Sequence, residues 1–201
     1  MVLAGEFVDT KKRGLYVAVE GIDGAGKTLI SKRIDEELRQ MGIDSIYVRE
    51  PWLPEIKKFL YQNNLEPEIE SMVFAVDRMV LQNSIVKPSL RQGKVVVSDR
   101  TVYSSLAYQY VRGVSEEKIL FFNRKVVFPE LVFLLDVDVD TALSRLKDRE
   151  FTRFELKPFL EEVRKRYLDL ARRYGFIVVD ASLSPEEVFR RVFNYILKEL
   201  R

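Results

Sequence analysis

The chain has 201 residues, 47% hydrophobic and 32% charged, which is enough to bury a core and unlike a disordered composition. Its 33 basic and 31 acidic residues leave a net charge of +2, too weak a field to capture nucleic acid or an anionic membrane. Cysteine and histidine are both absent, which excludes disulfides, thiolate metal sites, cysteine nucleophiles and histidine bases.

The N-terminal extension, residues 1–14, carries its charges after a short apolar stretch, the reverse of a signal peptide. No apolar run approaches the roughly 18 residues that span a bilayer, so a soluble cytoplasmic protein is expected. Residues 15–20 (LYVAVE) read as a buried strand, 27–41 as a helix stopped by Gly42, and 43–48 (IDSIYV) as a second strand. A long helical pattern covers 67–92, with Pro88 as a bend and Gly93 as its stop. The third strand, 94–98 (KVVVS), runs directly into Asp99-Arg100. Helical patterns follow at 102–112 and 115–127, then a fourth strand at 130–137 (ELVFLLDV). Another helix starts near Asp140 and runs into the charged stretch 145–155, after which a helix extends to Tyr174. The last strand is 176–180 (FIVVD), and Ser184-Pro185-Glu186-Glu187 announces the final helix. Five strands separated by helices predict an α/β fold in three layers, α/β/α, around a five-stranded parallel sheet. No repeat or linker divides the chain, which reads as one domain.

The stretch Gly21-Ile22-Asp23-Gly24-Ala25-Gly26-Lys27-Thr28 satisfies G-x-x-x-x-G-K-[ST] between a strand and a helix. Its glycines let backbone N–H groups turn inward on a phosphate, and the following helix aims its positive end there. Lys27 is expected at the β- and γ-phosphates and the Thr28 hydroxyl on magnesium. A chance match is expected in roughly 1% of such chains, and the strand-before, helix-after requirement lowers that further. The Asn-Lys-x-Asp guanine reader of regulatory GTPases does not occur. Asp99, at the end of a hydrophobic strand, supplies the carboxylate partner such a cradle needs for its metal.

Beyond the cradle, the chain carries REP (49–51), FAVDR (74–78), SDRTVYSSLAYQ (98–109), PELVFLLDVD (129–138), RFE (153–155) and FLEEVRKRYLDLA (159–171). In order and spacing these resemble the thymidylate kinases, P-loop enzymes that phosphorylate dTMP with ATP and magnesium. The resemblance covers the chain from about Leu15 to the final helix. It implies that Phe74, which shares a helix face with Arg78, stacks on the pyrimidine while Arg78 donates to its carbonyl edge. It assigns Arg100 and Arg49 to the acceptor phosphate, and Ser104, Ser105 and Tyr108 to the base and sugar pocket. Asp23 corresponds to the acidic residue near the sugar hydroxyl and the metal, and Asp99 to one near the transferred group. The segment 145–155 corresponds to a lid that closes on ATP. Position 24 is glycine, so the family's catalytic arginine is expected from the lid, at Arg149 or Arg153. A homodimer is implied as well.

The chain departs from the family pattern in places. Glu50-Pro51 is followed by Trp52-Leu53-Pro54 where the family has Gly-Gly-Thr, Thr101 replaces the Tyr after Asp-Arg, and Leu81 stands at a frequent histidine position. These changes bear on the acceptor: dUMP or a broader set of pyrimidine nucleotides is the alternative to dTMP. A nucleoside acceptor would need a base and would leave Arg49 and Arg100 without a phosphate. An ATP sensor is the non-enzymatic alternative, one whose turnover would not depend on a nucleotide monophosphate. The phosphate acceptor needs no base, being mostly a dianion at neutral pH, so the absence of histidine is no obstacle.

Overall fold

The computed structural model describes residues 14–146, 154 and 156–200. Its elements, in chain order, are β1 (Leu15–Glu20), α1 (Lys27–Gln40), β2 (Ser45–Arg49), α2 (Pro54–Gln62), α3 (Pro67–Leu81), a π-helical turn (Gln82–Val86) and α4 (Lys87–Arg91). The order continues with β3 (Val95–Asp99), α5 (Val102–Val111), α6 (Glu116–Phe122), β4 (Leu131–Asp136), α7 (Val139–Ser144), α8 (Lys157–Tyr174), β5 (Ile177–Asp180) and α9 (Pro185–Glu199). The five strands form one sheet in the order β2-β3-β1-β4-β5, and every pairing is parallel. Strands buried on both faces read as continuous apolar runs, which is why VVV and LVFLL were legible as strands.

Helices cover both faces of this sheet, giving the three layers expected. Side chains alternate between the faces: Val95 and Val97 join the larger core cluster, while Val96 joins the smaller one with Tyr16, Val48, Leu81 and Val86. The larger cluster gathers residues of α1, α5, α8 and α9, among them Ile34, Leu106, Tyr167 and Val192. Burying each Val, Leu, Ile or Phe of this cluster is worth about 1.5–3 kcal/mol.

Several boundaries differ from the sequence reading, each for a visible reason. The second strand begins at Ser45, whose hydroxyl donates to Asp35 of α1 at 2.7 Å, and runs on to Arg49. The helix expected over 115–127 ends at Phe122, where the Asn123 side chain turns to Ile119 O and Arg78. The bend assigned to Pro88 takes the form of the π-helical turn just before it. A proline ring clashes with the carbonyl four residues back, here Ser84, and a widened turn relieves that contact. The turn is fixed by Gln82, which donates to Val127 O at 2.8 Å and accepts from Val127 N at 2.6 Å. Helix α2 had no counterpart in the sequence reading. Its one buried residue is Leu60, too little for a periodic signal.

Candidate active site

The site lies at the carboxyl ends of β1 and β3, neighbours in register at Val19 and Asp99, with helices starting just beyond them. After Glu20 the chain makes the glycine cradle. Gly21 has φ +143° and Gly24 φ +85°, and a Cβ on Gly24 would stand 2.2 Å from Ala142 O. Glycine is therefore required at 24 by both conformation and contact. The cradle is pressed against α7, and α1 begins at Lys27 with no acidic residue in its first turn to compensate its positive end.

Lys27 is buried and donates to Ile22 O at 2.7 Å. Burial, and then the neighbouring Arg100, push its pKa down to about 8. A cation held this dearly is poised to take a phosphate oxygen in exchange for the carbonyl. The Thr28 hydroxyl donates to Asp99 Oδ2 at 2.5 Å, and Arg49 Nε stands 3.5 Å from the same oxygen. Asp99 is 1% exposed, and its Oδ1 has no hydrogen-bond partner among the described residues. Lys27, Thr28, Arg49, Lys57, Arg100 and Arg145 line a cavity of about 650 Å³ over the cradle. Arg145 donates to Ala181 O at 2.9 Å and approaches Gly24 O at 3.5 Å, so the first residue of the expected lid is anchored to the body. It also borders a more apolar cavity of about 230 Å³ with Ala25, Leu29, Ile30, Ala181 and Leu183.

Arg100 follows β3 with φ +76°, an arrangement uncommon outside glycine. Its guanidinium pairs with the Asp23 carboxylate and donates to Ser104 Oγ at 3.2 Å. Asp23 also accepts from the Tyr108 hydroxyl at 3.0 Å. Burial would raise the Asp23 carboxyl, but Arg100 and Lys27 outweigh it and hold it near 2. Beneath this pair lies Glu20, fully buried and fed by three hydroxyls: Thr101 Oγ1 and Ser104 Oγ at 2.7 Å, and Tyr167 at 2.9 Å. That network ties the end of β1 to α5 and α8.

On the other side of Asp23 and Arg100 a second cavity is lined by Phe74, Arg78, Ser104, Ser105, Tyr108 and Gln109, with Glu50, Pro51, Tyr61 and Phe154. Phe74 and Arg78 thus do share a face toward one space. The guanidinium of Arg78, however, is 1% exposed and engaged by protein. It pairs with Glu50 at 2.7–2.8 Å and donates to Asn123 Oδ1 at 2.7 Å, Thr101 O at 3.1 Å and Ser105 Oγ at 3.1 Å. These contacts tie it into the pocket's wall and occupy most of its N–H donors. Burial drives the Glu50 carboxyl up to about 7 against the pull of Arg78. Trp52, the residue that most departs from the family pattern, is not among those lining this cavity.

The structure therefore brings Asp23, Lys27, Thr28, Arg49, Arg100, Ser104, Ser105, Tyr108, Phe74 and Arg78 to two adjoining cavities, while Asp99 lines neither and lies buried behind the Thr28 hydroxyl. Gly21, Ile22, Gly24, Ala25 and Gly26 form the cradle, of which Gly24 and Gly26 line the phosphate cavity. Arg149 and Arg153 lie outside the described residues. Sequence reasoning gave no role to Glu50 or Gln109, although both sit in the REP and SDRTVYSSLAYQ stretches. It also missed Lys57 and Tyr61, for which the sequence offers no signal because α2 itself was not visible.

Comparison with known proteins agrees with this geometry. The thymidylate kinase family model matches residues 19–192. A probable thymidylate kinase of Sulfurisphaera tokodaii is 37% identical over 183 residues, covering 90% of this chain and 95% of its own. One from Methanocaldococcus jannaschii is 37% identical over 188 residues with the same coverage, and a thymidylate kinase of Halothermothrix orenii is 35% identical over 200, covering 92% and 97%. With two cavities meeting at Asp23 and Arg100 and a match along nearly its whole length, the chain belongs to the thymidylate kinase family.

Proposed function

We propose that the chain transfers the γ-phosphoryl group of ATP to dTMP, giving dTDP and ADP. One observation carries this reading: Asp23, Tyr61 and Arg100 line both the phosphate cavity and the aromatic pocket, so a nucleotide in each would meet phosphate to phosphate. The apolar cavity beside Arg145 suits the purine of the donor. The acceptor phosphate, a dianion at neutral pH, is already a nucleophile. What this chain must supply is charge and alignment. Lys27 and the amides at the start of α1 hold the donor phosphates. Arg100 and Arg49 draw in the acceptor, and Asp23 fixes the Arg100 fork. Ser104, Ser105, Tyr108, Phe74 and Gln109 shape the space for base and sugar.

The donor set fits magnesium. Thr28 and Asp99 present hard oxygens at the end of the cradle, and Asp99 Oδ1 is buried without a partner among the described residues. Among the described residues no three acidic side chains gather, so the ion would draw its other ligands from phosphates and water, as magnesium does. Bound there, it would neutralise phosphate charge along the transfer path. Arg149 and Arg153 are the lid arginines to substitute. A cytoplasmic location fits, since no helix among the described residues is long and apolar enough to cross a membrane.

A homodimer is supported by Ile69, Met72, Val76 and Val80, spaced by three, four and four along α3 and each 37–50% exposed. Light scattering should give twice the chain mass, and a Val76→Glu variant half of that.

Purified protein with ATP and magnesium, offered dTMP, dUMP, dCMP and thymidine in parallel, tests the main reading through the phosphorylated product. Preference for dTMP is expected. Preference for dUMP would mean that the pocket's altered surroundings changed its acceptor, and ATP turnover indifferent to any acceptor would make the chain a sensor.

A further inference from the structure

The phosphate cavity holds a cation that neither the cradle motif nor the acceptor arginines account for. Lys57 lies on α2, four residues before Tyr61, and both line the 650 Å³ cavity together with Lys27 and Thr28. Lys58, its neighbour, points about 100° away around the helix and lines neither this cavity nor the aromatic pocket. The Lys57 ammonium pairs with no carboxylate among the described residues.

Its place is set from the core. The Asp77 carboxylate, 1% exposed, accepts from Trp52 N at 2.7 Å and Leu53 N at 2.8 Å, the two residues that lead into α2. Leu53 O in turn accepts from Lys57 N at 2.9 Å, closing the first turn of the helix. Asp77 therefore acts on the start of α2 while the adjacent Arg78 acts on Glu50, and the segment 50–53 is held at both ends by consecutive residues of α3. A buried carboxylate committed to two amides at a helix start is a costly device unless that helix must sit at a set distance from something.

That something is the phosphate between the two cavities. An acceptor phosphate dianion and a triphosphate must approach each other here, and Gly24 leaves the cradle without an arginine of its own. We propose that Lys57 is a phosphate-binding residue of the transfer cavity, supplied by α2, and that Asp77 is the residue that positions it. The proposal deepens the reading given above and rests on it for the identity of the acceptor.

The test compares Lys57→Ala, Lys57→Gln, Lys57→Arg and Lys58→Ala. Loss of one charged hydrogen bond to phosphate predicts kcat/KM for dTMP roughly 10- to 100-fold lower in Lys57→Ala and Lys57→Gln, with Tm unchanged. Lys57→Arg should retain most of the activity and Lys58→Ala all of it. Asp77→Asn should reproduce the acceptor defect while leaving ADP binding intact, a split that a general loss of stability would not give. Tripolyphosphate binding, measured by calorimetry, reads the same residue with no assumption about the acceptor. If wild-type protein fails to phosphorylate dTMP while Lys57→Ala still weakens tripolyphosphate about tenfold, the acceptor assignment falls and Lys57 stands. Kinetics and tripolyphosphate binding alike in Lys57→Ala and Lys58→Ala would overturn the proposal.

Discussion

Arg78→Ala is the most informative single change to the acceptor pocket, because it separates a wall from a hand. In the folded chain Arg78 is 1% exposed and Glu50 4%, and they pair at 2.7 Å. Removing the guanidinium strips Glu50 of the cation it pairs with and leaves Asn123 Oδ1 without the Arg78 donor. Breaking a buried pair from one side costs about 3–5 kcal/mol, of a total stability of roughly 5–15 kcal/mol. For a chain of this length that corresponds to a fall in Tm of roughly 6–20 °C. The deficit should also depend on pH in a stated direction. Burial already lifts the Glu50 carboxyl to about 7, and Arg78 is what restrains it. A carboxyl whose folded pKa lies above its unfolded value favours folding below the unfolded value and loses that contribution as pH rises through the folded one. Without Arg78 the folded pKa rises further, so the variant should lose more stability between pH 5 and 8 than wild type does. The double variant Arg78→Met/Glu50→Gln should recover part of the loss and all of its excess pH dependence. Circular dichroism melts at pH 5 and 8 decide the matter. A Tm within 2 °C of wild type, or a deficit equal at both pH values and undiminished in the double variant, would refute the structural role.

Three further changes probe the phosphate side. Asp99→Asn and Thr28→Ala should each lower kcat at least about 100-fold, since Thr28 lines the cavity and Asp99 is hydrogen-bonded to its hydroxyl; retained turnover would remove the metal assignment. Gly24→Ala should weaken ATP binding and lower Tm together, because its Cβ would meet Ala142 O at 2.2 Å, whereas Gly26→Ala faces open space and carries only about 1–2 kcal/mol of backbone strain. Calorimetry with ATP on the two variants should therefore separate them clearly. Asp23, held near 2 in the folded state, contributes stability above pH 4 that is lost as pH falls toward 2. Acid titration of Asp23→Asn should show a shallower loss over that range, and an unchanged profile would mean the Arg100 pair contributes nothing.

What the sequence disclosed and what it hid follow from how far apart the causes sit along the chain. The cradle was legible because seven consecutive peptide units and the helix after them do the work locally. The strands were legible because burial on both faces removes polar residues from them, as in VVV and LVFLL. The protein partners of Arg78 were illegible for the opposite reason: Glu50, Thr101, Ser105 and Asn123 lie 23 to 45 positions away. Nothing within a helical turn of Arg78 distinguishes a ligand-reading guanidinium from one bound up in its own protein. Helix α2 was hidden likewise, since its start depends on Asp77, 24 residues beyond Leu53, and on no local cap.

The π-helical turn after α3 has a consequence for how one rod can serve two neighbourhoods. Arg78, Gln82 and Val86 are all buried, and they are spaced by four. Four residues overshoot an α-helical turn by about 40°, so two such steps would swing Val86 about 80° out of line with Arg78. The wider turn at Gln82–Val86 takes back part of that drift, keeping guanidinium, amide and isopropyl groups along one seam. Arg78 can then brace the nucleotide pocket while Val86, two turns on, packs with Tyr16, Val48 and Val96 under the sheet. Phase, more than composition, is what this segment encodes: losing one residue there would leave its hydrophobicity intact and its two ends out of step.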